Sequence, residues 1–170
     1  MSHSRKRILI VEDSAFMRLL LTDIITKSAK IDLAGTANDG KEGVEQVKKL
    51  KPDVVLMDLN MGEYDGIYAV KRIMEECPTP ILILSAVGNT ELQPVFEALR
   101  FGAVDYMNKP NRSNSKLRVV EEELILKILN AANASPKTVI DKTNFKKESF
   151  STKKKSGDYE IVGIGASTGG

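Results

Sequence analysis

A doubly wound α/β fold is what this sequence predicts, on three observations. From residue 7 to about residue 132, short apolar runs alternate with segments of helical period, the order that lays a parallel sheet between helices. The runs Ile8-Leu9-Ile10-Val11, Val54-Val55-Leu56-Met57 and Ile81-Leu82-Ile83-Leu84 are continuous rather than alternating, as strands buried on both faces are. Each run also stops at a polar group: Glu12-Asp13, Asp58 and Ser85 in turn, while the stretch around Val104 and Tyr106 leads to Lys109-Pro110. In open α/β sheets the working crevice lies beyond the carboxyl ends of the strands. Topology alone therefore gathers three carboxylates, a hydroxyl and an ammonium at one edge.

The elements follow in order. Ser14 is placed to cap a first helix with Phe16, Leu20 and Ile24 on one face, since residues four apart share a side of a helix. A second strand, Ile31 to Ala37, passes through Asn38-Asp39-Gly40 into a helix with Val44, Val47 and Leu50 inward. Gly43 weakens that helix by up to about 1 kcal/mol relative to alanine. Pro52 separates it from the third strand, and Asp65-Gly66 opens the third helix, which Pro78 and Pro80 end. The fourth helix is expected from Thr90 to Arg100, with Pro94 tolerable because it falls in or near the first turn. Gly102 stops it. A last helix runs from about Ser113 to Ala132, with Leu117, Val120, Leu124 and Ile128 facing inward.

Composition narrows the class. A chain of 170 residues, 42% hydrophobic and 28% charged, suits a soluble globular domain of ordinary size. The single cysteine, Cys77, allows no internal disulfide and no cysteine metal site, so a reducing cytoplasm is the expected location. No apolar stretch nears the roughly 18 residues of a spanning helix. Arg5-Lys6-Arg7 before the first apolar run imitates a signal peptide, but Glu12-Asp13 cuts that run short. Neither export nor membrane insertion is expected. Residues 1–132 carry 18 basic and 19 acidic side chains, and residues 133–170 carry 7 and 4. The positive excess lies in the tail, and the globular part gives no reason to expect nucleic acid as a partner.

If Glu12, Asp13 and Asp58 converge, their charges conflict. Two carboxylates about 4 Å apart repel by roughly 4 kcal/mol at an effective dielectric near 20. Either a cation joins them or one takes a proton. Hard oxygen donors with room for water favour Mg²⁺ over a transition metal, and the Asn60 backbone carbonyl could add a fourth ligand. Lys109 then offers a compact charge to a phosphoryl oxygen, and Ser85 a hydroxyl donor. Asp58 is both a metal ligand and a candidate nucleophile, because carboxylates form aspartyl-phosphate intermediates. Taken singly, Glu12-Asp13 could cap a helix, Ser85 end a strand, Tyr106 sit half-buried on an edge strand, and Lys109-Pro110 form a turn. Their joint arrival at the strand ends argues for function.

The set Glu12-Asp13, Asp58, Ser85, Tyr106 and Lys109-Pro110 resembles the receiver domain of bacterial two-component response regulators, over residues 5–132. The resemblance implies a flavodoxin-like five-stranded parallel sheet in order 2-1-3-4-5. It also implies phosphorylation of Asp58 by a histidine kinase, with Mg²⁺ on Glu12, Asp13, Asp58 and the Asn60 carbonyl. The bond before the proline matching Pro110 is usually cis in that family. Signalling is implied as a population shift: the phosphoryl group draws in the Ser85 hydroxyl, and Tyr106 turns inward. Gly62 stands where these regulators usually have proline and Tyr64 where they usually have methionine, which implies a more mobile loop after Asp58.

From Asn133 to Asp158, Ser, Thr, Lys and Asn dominate and Lys153-Lys154-Lys155 form a basic run, the composition of a flexible linker. A new apolar strand starts at Tyr159 and runs into Gly163-Ile164-Gly165-Ala166-Ser167-Thr168-Gly169-Gly170. This ending, with Pro78-Thr79-Pro80-Ile81 and the stretch Glu97 to Tyr106, resembles the chemotaxis protein-glutamate methylesterases. Residues 159–170 then match the first residues of an esterase domain whose nucleophile corresponds to Ser167. The family acts on glutamate methyl esters of chemoreceptors, and many members deamidate receptor glutamines. It uses a serine–histidine–aspartate arrangement. Here the only histidine is His3, so these 170 residues are expected to lack esterase activity.

A glycine-rich nucleotide loop is the competing reading of the ending, but Thr168 stands where the dinucleotide fingerprint needs glycine. For the whole, the favoured reading is a receiver that covers an esterase site until phosphorylated. The alternative is a stand-alone receiver, or one attached to a DNA-binding transcription regulator. A flavin or nucleotide binder on the same fold is poorly matched, because carboxylates crowd the place where phosphate needs N–H donors.

Overall fold

The computed structural model describes residues 5–86, 92–110 and 117–135. Strands and helices alternate through them: β1 (Lys6–Val11), α1 (Ala15–Lys27), β2 (Ile31–Ala37), α2 (Gly40–Leu50), β3 (Val54–Asp58), α3 (Gly66–Glu76), β4 (Ile81–Ser85), α4 (Gln93–Phe101), β5 (Asp105–Asn108) and α5 (Leu117–Ala132). The strands form one parallel sheet in the order β2-β1-β3-β4-β5. The expected α/β architecture is the one observed.

Period-2 alternation along the central strands divides the core in two. Leu9, Val11, Val55, Met57, Ile81 and Ile83 pack under α2, α3 and α4, against Val47, Val70, Ile73 and Val95. Ile8, Ile10, Val54, Leu56, Leu82 and Leu84 face α1 and α5, against Leu21, Ile25, Leu124 and Ile128. The three continuous apolar runs are accordingly buried on both faces. β2 and β5 are half-exposed edge strands, each with a single lateral neighbour.

Helix starts follow local chemistry. The Ser14 hydroxyl accepts from Met17 N, Asp39 Oδ1 accepts from Glu42 N at 2.8 Å, and Asp65 Oδ1 accepts from Tyr68 N at 2.8 Å. The Glu42 carboxylate in turn accepts from Asn38 N at 2.7 Å, on the residue before the Asp39 cap. Pro94 lies in the first turn of α4 and Gly102 ends that helix.

Several expectations are corrected. Phe16 is 60% exposed, although Leu20 and Ile24 on the same face are buried. The first turn of α1 lies beyond the end of β1, so a residue of core period there has no sheet beneath it. Gly43 is not merely a weak helix former: a Cβ there would lie 2.9 Å from Val11 Cγ1, and its absence lets α2 settle onto β1. α5 ends at Ala132, where the last helix is expected to end, and Asn133 N and Ala134 N close its final turn by donating to Asn130 O and Ala131 O. α4 begins at Gln93 rather than Thr90; Thr90, the expected start of the last helix at Ser113, and residues 136–170 lie outside the described residues. No helix among the described residues is long and apolar enough to cross a membrane.

Candidate functional site

Between β1 and β3 the chain reverses its direction of winding, so the loops after these strands diverge and leave a crevice. Glu12 and Asp13 follow β1, and Asp58 ends β3. One oxygen from each of the three carboxylates lies within 4.8 Å of the others. Glu12 and Asp58 are 1% and 2% exposed, whereas Asp13 is open to solvent. Lys109 reaches across from the end of β5. Its Nζ lies 2.7 Å from Glu12 Oε2 and 2.8 Å from Asp58 Oδ2, while its backbone N donates to Ser85 O at 2.7 Å.

The electrostatics follow from this packing. Burial raises the Glu12 pKa above its ordinary value, with the Asp58 charge adding to the rise and the Lys109 ammonium opposing it. Burial alone would lower the pKa of Lys109, yet hydrogen bonds and charge attraction from Asp58 and Glu12 outweigh it, and the net shift is upward. Lys109 is thus an internal cation between two carboxylates. Compensation is incomplete at one atom: Glu12 Oε2 is buried and has no well-directed hydrogen bond, because the lysine contact is short but poorly aligned. Three carboxylates that share one crevice, with a single ammonium between two of them, suit a hard cation such as Mg²⁺. The donor set fits that ion.

Asp58 is held from the main chain as well. Its Oδ1 accepts from Asn60 N at 3.2 Å. Gly66, the first residue of α3, packs so closely that an added Cβ would collide with the Asp58 carbonyl oxygen, and its N–H bonds Leu59 O at 3.1 Å. The intervening turn carries Gly62 at φ +54°, a value the proline ring cannot adopt. The departure from the usual proline therefore accompanies a different turn.

Of the residues singled out from sequence, Glu12, Asp13, Asp58 and Lys109 come together. Ser85 ends β4 next to Asp58, whose register partner is Leu84, and it is half-buried. Tyr106 pairs in register with Ile83 and is 39% exposed, facing out. Asn60 is exposed on the loop after Asp58. The Lys109-Pro110 bond is trans, since there is no cis peptide bond among the described residues; the expectation of cis is overturned. Ser167 and His3 lie outside the described residues. Sequence reasoning misses Arg18, whose Nη1 donates to the carbonyls of Glu12 at 2.7 Å and Asp13 at 2.9 Å. Its one available signal is its place in α1, one turn beyond Ser14.

A carboxylate cluster and a half-buried lysine at the switch point of a 2-1-3-4-5 sheet define the receiver class of signalling domains. Comparison with known proteins agrees: the response regulator receiver domain matches residues 8–121, and the chain belongs to that family. It is 43% identical over 169 residues to a protein-glutamate methylesterase/protein-glutamine glutaminase of Archaeoglobus fulgidus, covering 96% of this chain and 48% of that protein. The chain thus spans about half the length of the curated relatives it matches. The crystal structure of the response regulator domain of Thermotoga maritima CheB superposes with a TM-score of 0.70 at 42% identity, covering 78% of this chain and all of that one. A chain of the CheX–CheY–BeF₃–Mg²⁺ complex from Borrelia burgdorferi superposes with a TM-score of 0.61 at 29% identity, covering 76% of this chain and 90% of that one. The receiver described here is homologous to the CheB receivers.

Proposed function

We propose that this receiver accepts a phosphoryl group on Asp58 from a chemotaxis histidine kinase and thereby controls a protein-glutamate methylesterase/glutamine deamidase in a longer protein. The observation that carries the reading is the setting of Asp58. Its carboxylate is buried beside two others, with one oxygen on the Asn60 N–H and the other on Lys109 Nζ.

In the proposed step an Asp58 oxygen attacks the phosphorus of a phosphohistidine in line. The P–N bond breaks, its electron pair stays with the imidazole, and an acyl phosphate forms. Glu12, Asp13, Asp58 and the Asn60 carbonyl would hold Mg²⁺; when bound, it neutralises phosphoryl charge. Oxygens sharing one such ion stand at most about 4.2 Å apart, so the 4.8 Å cluster needs little adjustment. Lys109 exchanges its carboxylate contacts for a phosphoryl oxygen, and Ser85 donates its hydroxyl to another. Tyr106 then turns inward from its exposed position. The magnesium and BeF₃ of the Borrelia burgdorferi complex support this assignment.

Residues 5–132 form the receiver in this reading, 133–158 a basic linker, and 159–170 the start of an esterase domain with Ser167 as nucleophile. That esterase domain is the receiver's own partner, chemoreceptors are the substrate of the complete protein, and the setting is cytoplasmic. With His3 the only histidine, these 170 residues alone should hydrolyse no methyl ester. Incubation with Mg²⁺ and acetyl phosphate tests the central step. An acid-stable, hydroxylamine-labile phosphate should appear on the wild type and not on Asp58→Asn. Equal labelling of both, or no labelling of the wild type, refutes it.

A further inference from the structure

We propose that Arg18 is the positioning residue of the acidic cluster: from α1 it holds the main chain of Glu12 and Asp13 and so sets the cluster's affinity for a divalent cation. The inference rests on the cation-assisted phosphoacceptor reading above. Its starting point is the loop between β1 and α1. The ladder from β1 to β3 ends at Val11 and Met57, and Glu12 N donates sideways to Ala37 O at 3.1 Å. The first carbonyl taken up by the helix is Ser14 O, which receives Arg18 N at 2.9 Å. The carbonyls of Glu12 and Asp13 fall between strand and helix, and the half-buried Arg18 side chain supplies both through one nitrogen.

Arg18 therefore ties three successive carbonyls, two by its guanidinium and one by its own N–H. Fixing the carbonyls on both sides of Asp13 fixes the two peptide planes from which the Glu12 and Asp13 side chains leave. These bonds are charge-assisted, the stronger kind. Glu12 and Asp13 must present their oxygens to one small ion of strict geometry, so freedom in that loop costs cation affinity before it costs anything else. The Arg18 guanidinium bonds the main-chain carbonyls of Glu12 and Asp13. It acts through the loop.

The test uses the whole chain and Mg²⁺ alone. Titration calorimetry on wild type, Arg18→Met and Arg18→Lys gives the dissociation constants, and melting in EDTA reports folding. Arg18→Met should bind Mg²⁺ about tenfold more weakly, as loss of an orienting partner typically does. Arg18→Lys should fall between, since it keeps a charged donor without the planar fork; it carries the test where Arg18→Met does not fold. With acetyl phosphate, half-saturating Mg²⁺ should rise in parallel while the rate at saturating Mg²⁺ stays within about twofold of wild type, the pattern of lost positioning rather than lost chemistry. An unchanged constant in Arg18→Met overturns the proposal. So does a fall in the saturated rate that tracks a lowered melting temperature, since that marks a structural role. If the wild type itself binds no Mg²⁺, the phosphoacceptor reading falls first. If it binds while Arg18→Met binds equally well, only the role of Arg18 is lost.

Discussion

Replacing Lys109 by methionine removes a charge and keeps most of the stem. The ammonium it deletes stands 2.7 and 2.8 Å from Glu12 and Asp58. At an effective dielectric near 20, each contact is worth about 6 kcal/mol of raw attraction. Much of that is offset by the cost of desolvating all three groups, and removing one partner of a buried ion pair costs about 3–5 kcal/mol net. Lys109 is 15% exposed on its side chain, and Glu12 can relieve part of the conflict by taking a proton. The lower end, about 3 kcal/mol, is expected. For a domain of this size that lowers the melting temperature by about 10 °C. The assay is thermal unfolding followed by circular dichroism, in EDTA and in saturating Mg²⁺. A divalent ion replaces the missing cation, so Mg²⁺ should raise the variant's melting temperature more than the wild type's. A variant that melts with the wild type in EDTA refutes the view of Lys109 as an internal counterion. A deficit of equal size with and without Mg²⁺ refutes the idea that lysine and metal serve the same two carboxylates.

Other outcomes follow from the same geometry. The raised pKa of Glu12 means the folded state holds its proton more tightly than the unfolded chain. Stability without Mg²⁺ should therefore fall as pH rises from the ordinary carboxylate value through the folded one; urea midpoints against pH should show this slope in the wild type and not in Glu12→Gln. Asp13 is exposed and outside the lysine pair but lies among the clustered carboxylates, so Asp13→Asn should weaken Mg²⁺ binding and, by relieving screened repulsion, raise stability in EDTA by about 1 kcal/mol, as calorimetry and urea unfolding would report. Gly43→Ala should lower stability by about 1–3 kcal/mol through overpacking against Val11. Helix propensity alone predicts a gain of up to about 1 kcal/mol, so the sign of the shift in urea midpoint decides which effect wins.

The reach of sequence reasoning can be seen residue by residue. Ile8 to Val11 is readable as a buried strand because both its faces meet apolar layers, and its polar terminators locate the crevice without any coordinates. Ser14, Asp39 and Asp65 are readable because capping is decided within three residues. Phe16 misleads because helical period reveals a face, not how far the sheet extends beneath it. Gly43 looks like a weakness because its reason lies in Val11, more than thirty positions away. Arg18 gives no signal beyond its place in α1, because its partners are backbone carbonyls, which have no residue type to read. The trans bond before Pro110 departs from the resemblance, and nothing in the structure explains it.

Lys109 grips the molecule twice, by its N–H on Ser85 O and by its ammonium on Glu12 and Asp58. One residue thereby staples the last strand to the ends of the three strands before it in the sheet. A four-residue border strand tends to fray, since it is paired along one side only. Here its fastening depends on the charge at the crevice. Anything that draws the ammonium away from those carboxylates loosens one of the two fastenings at that margin, so amide exchange at Met107 and Asn108 should quicken when the crevice changes hands.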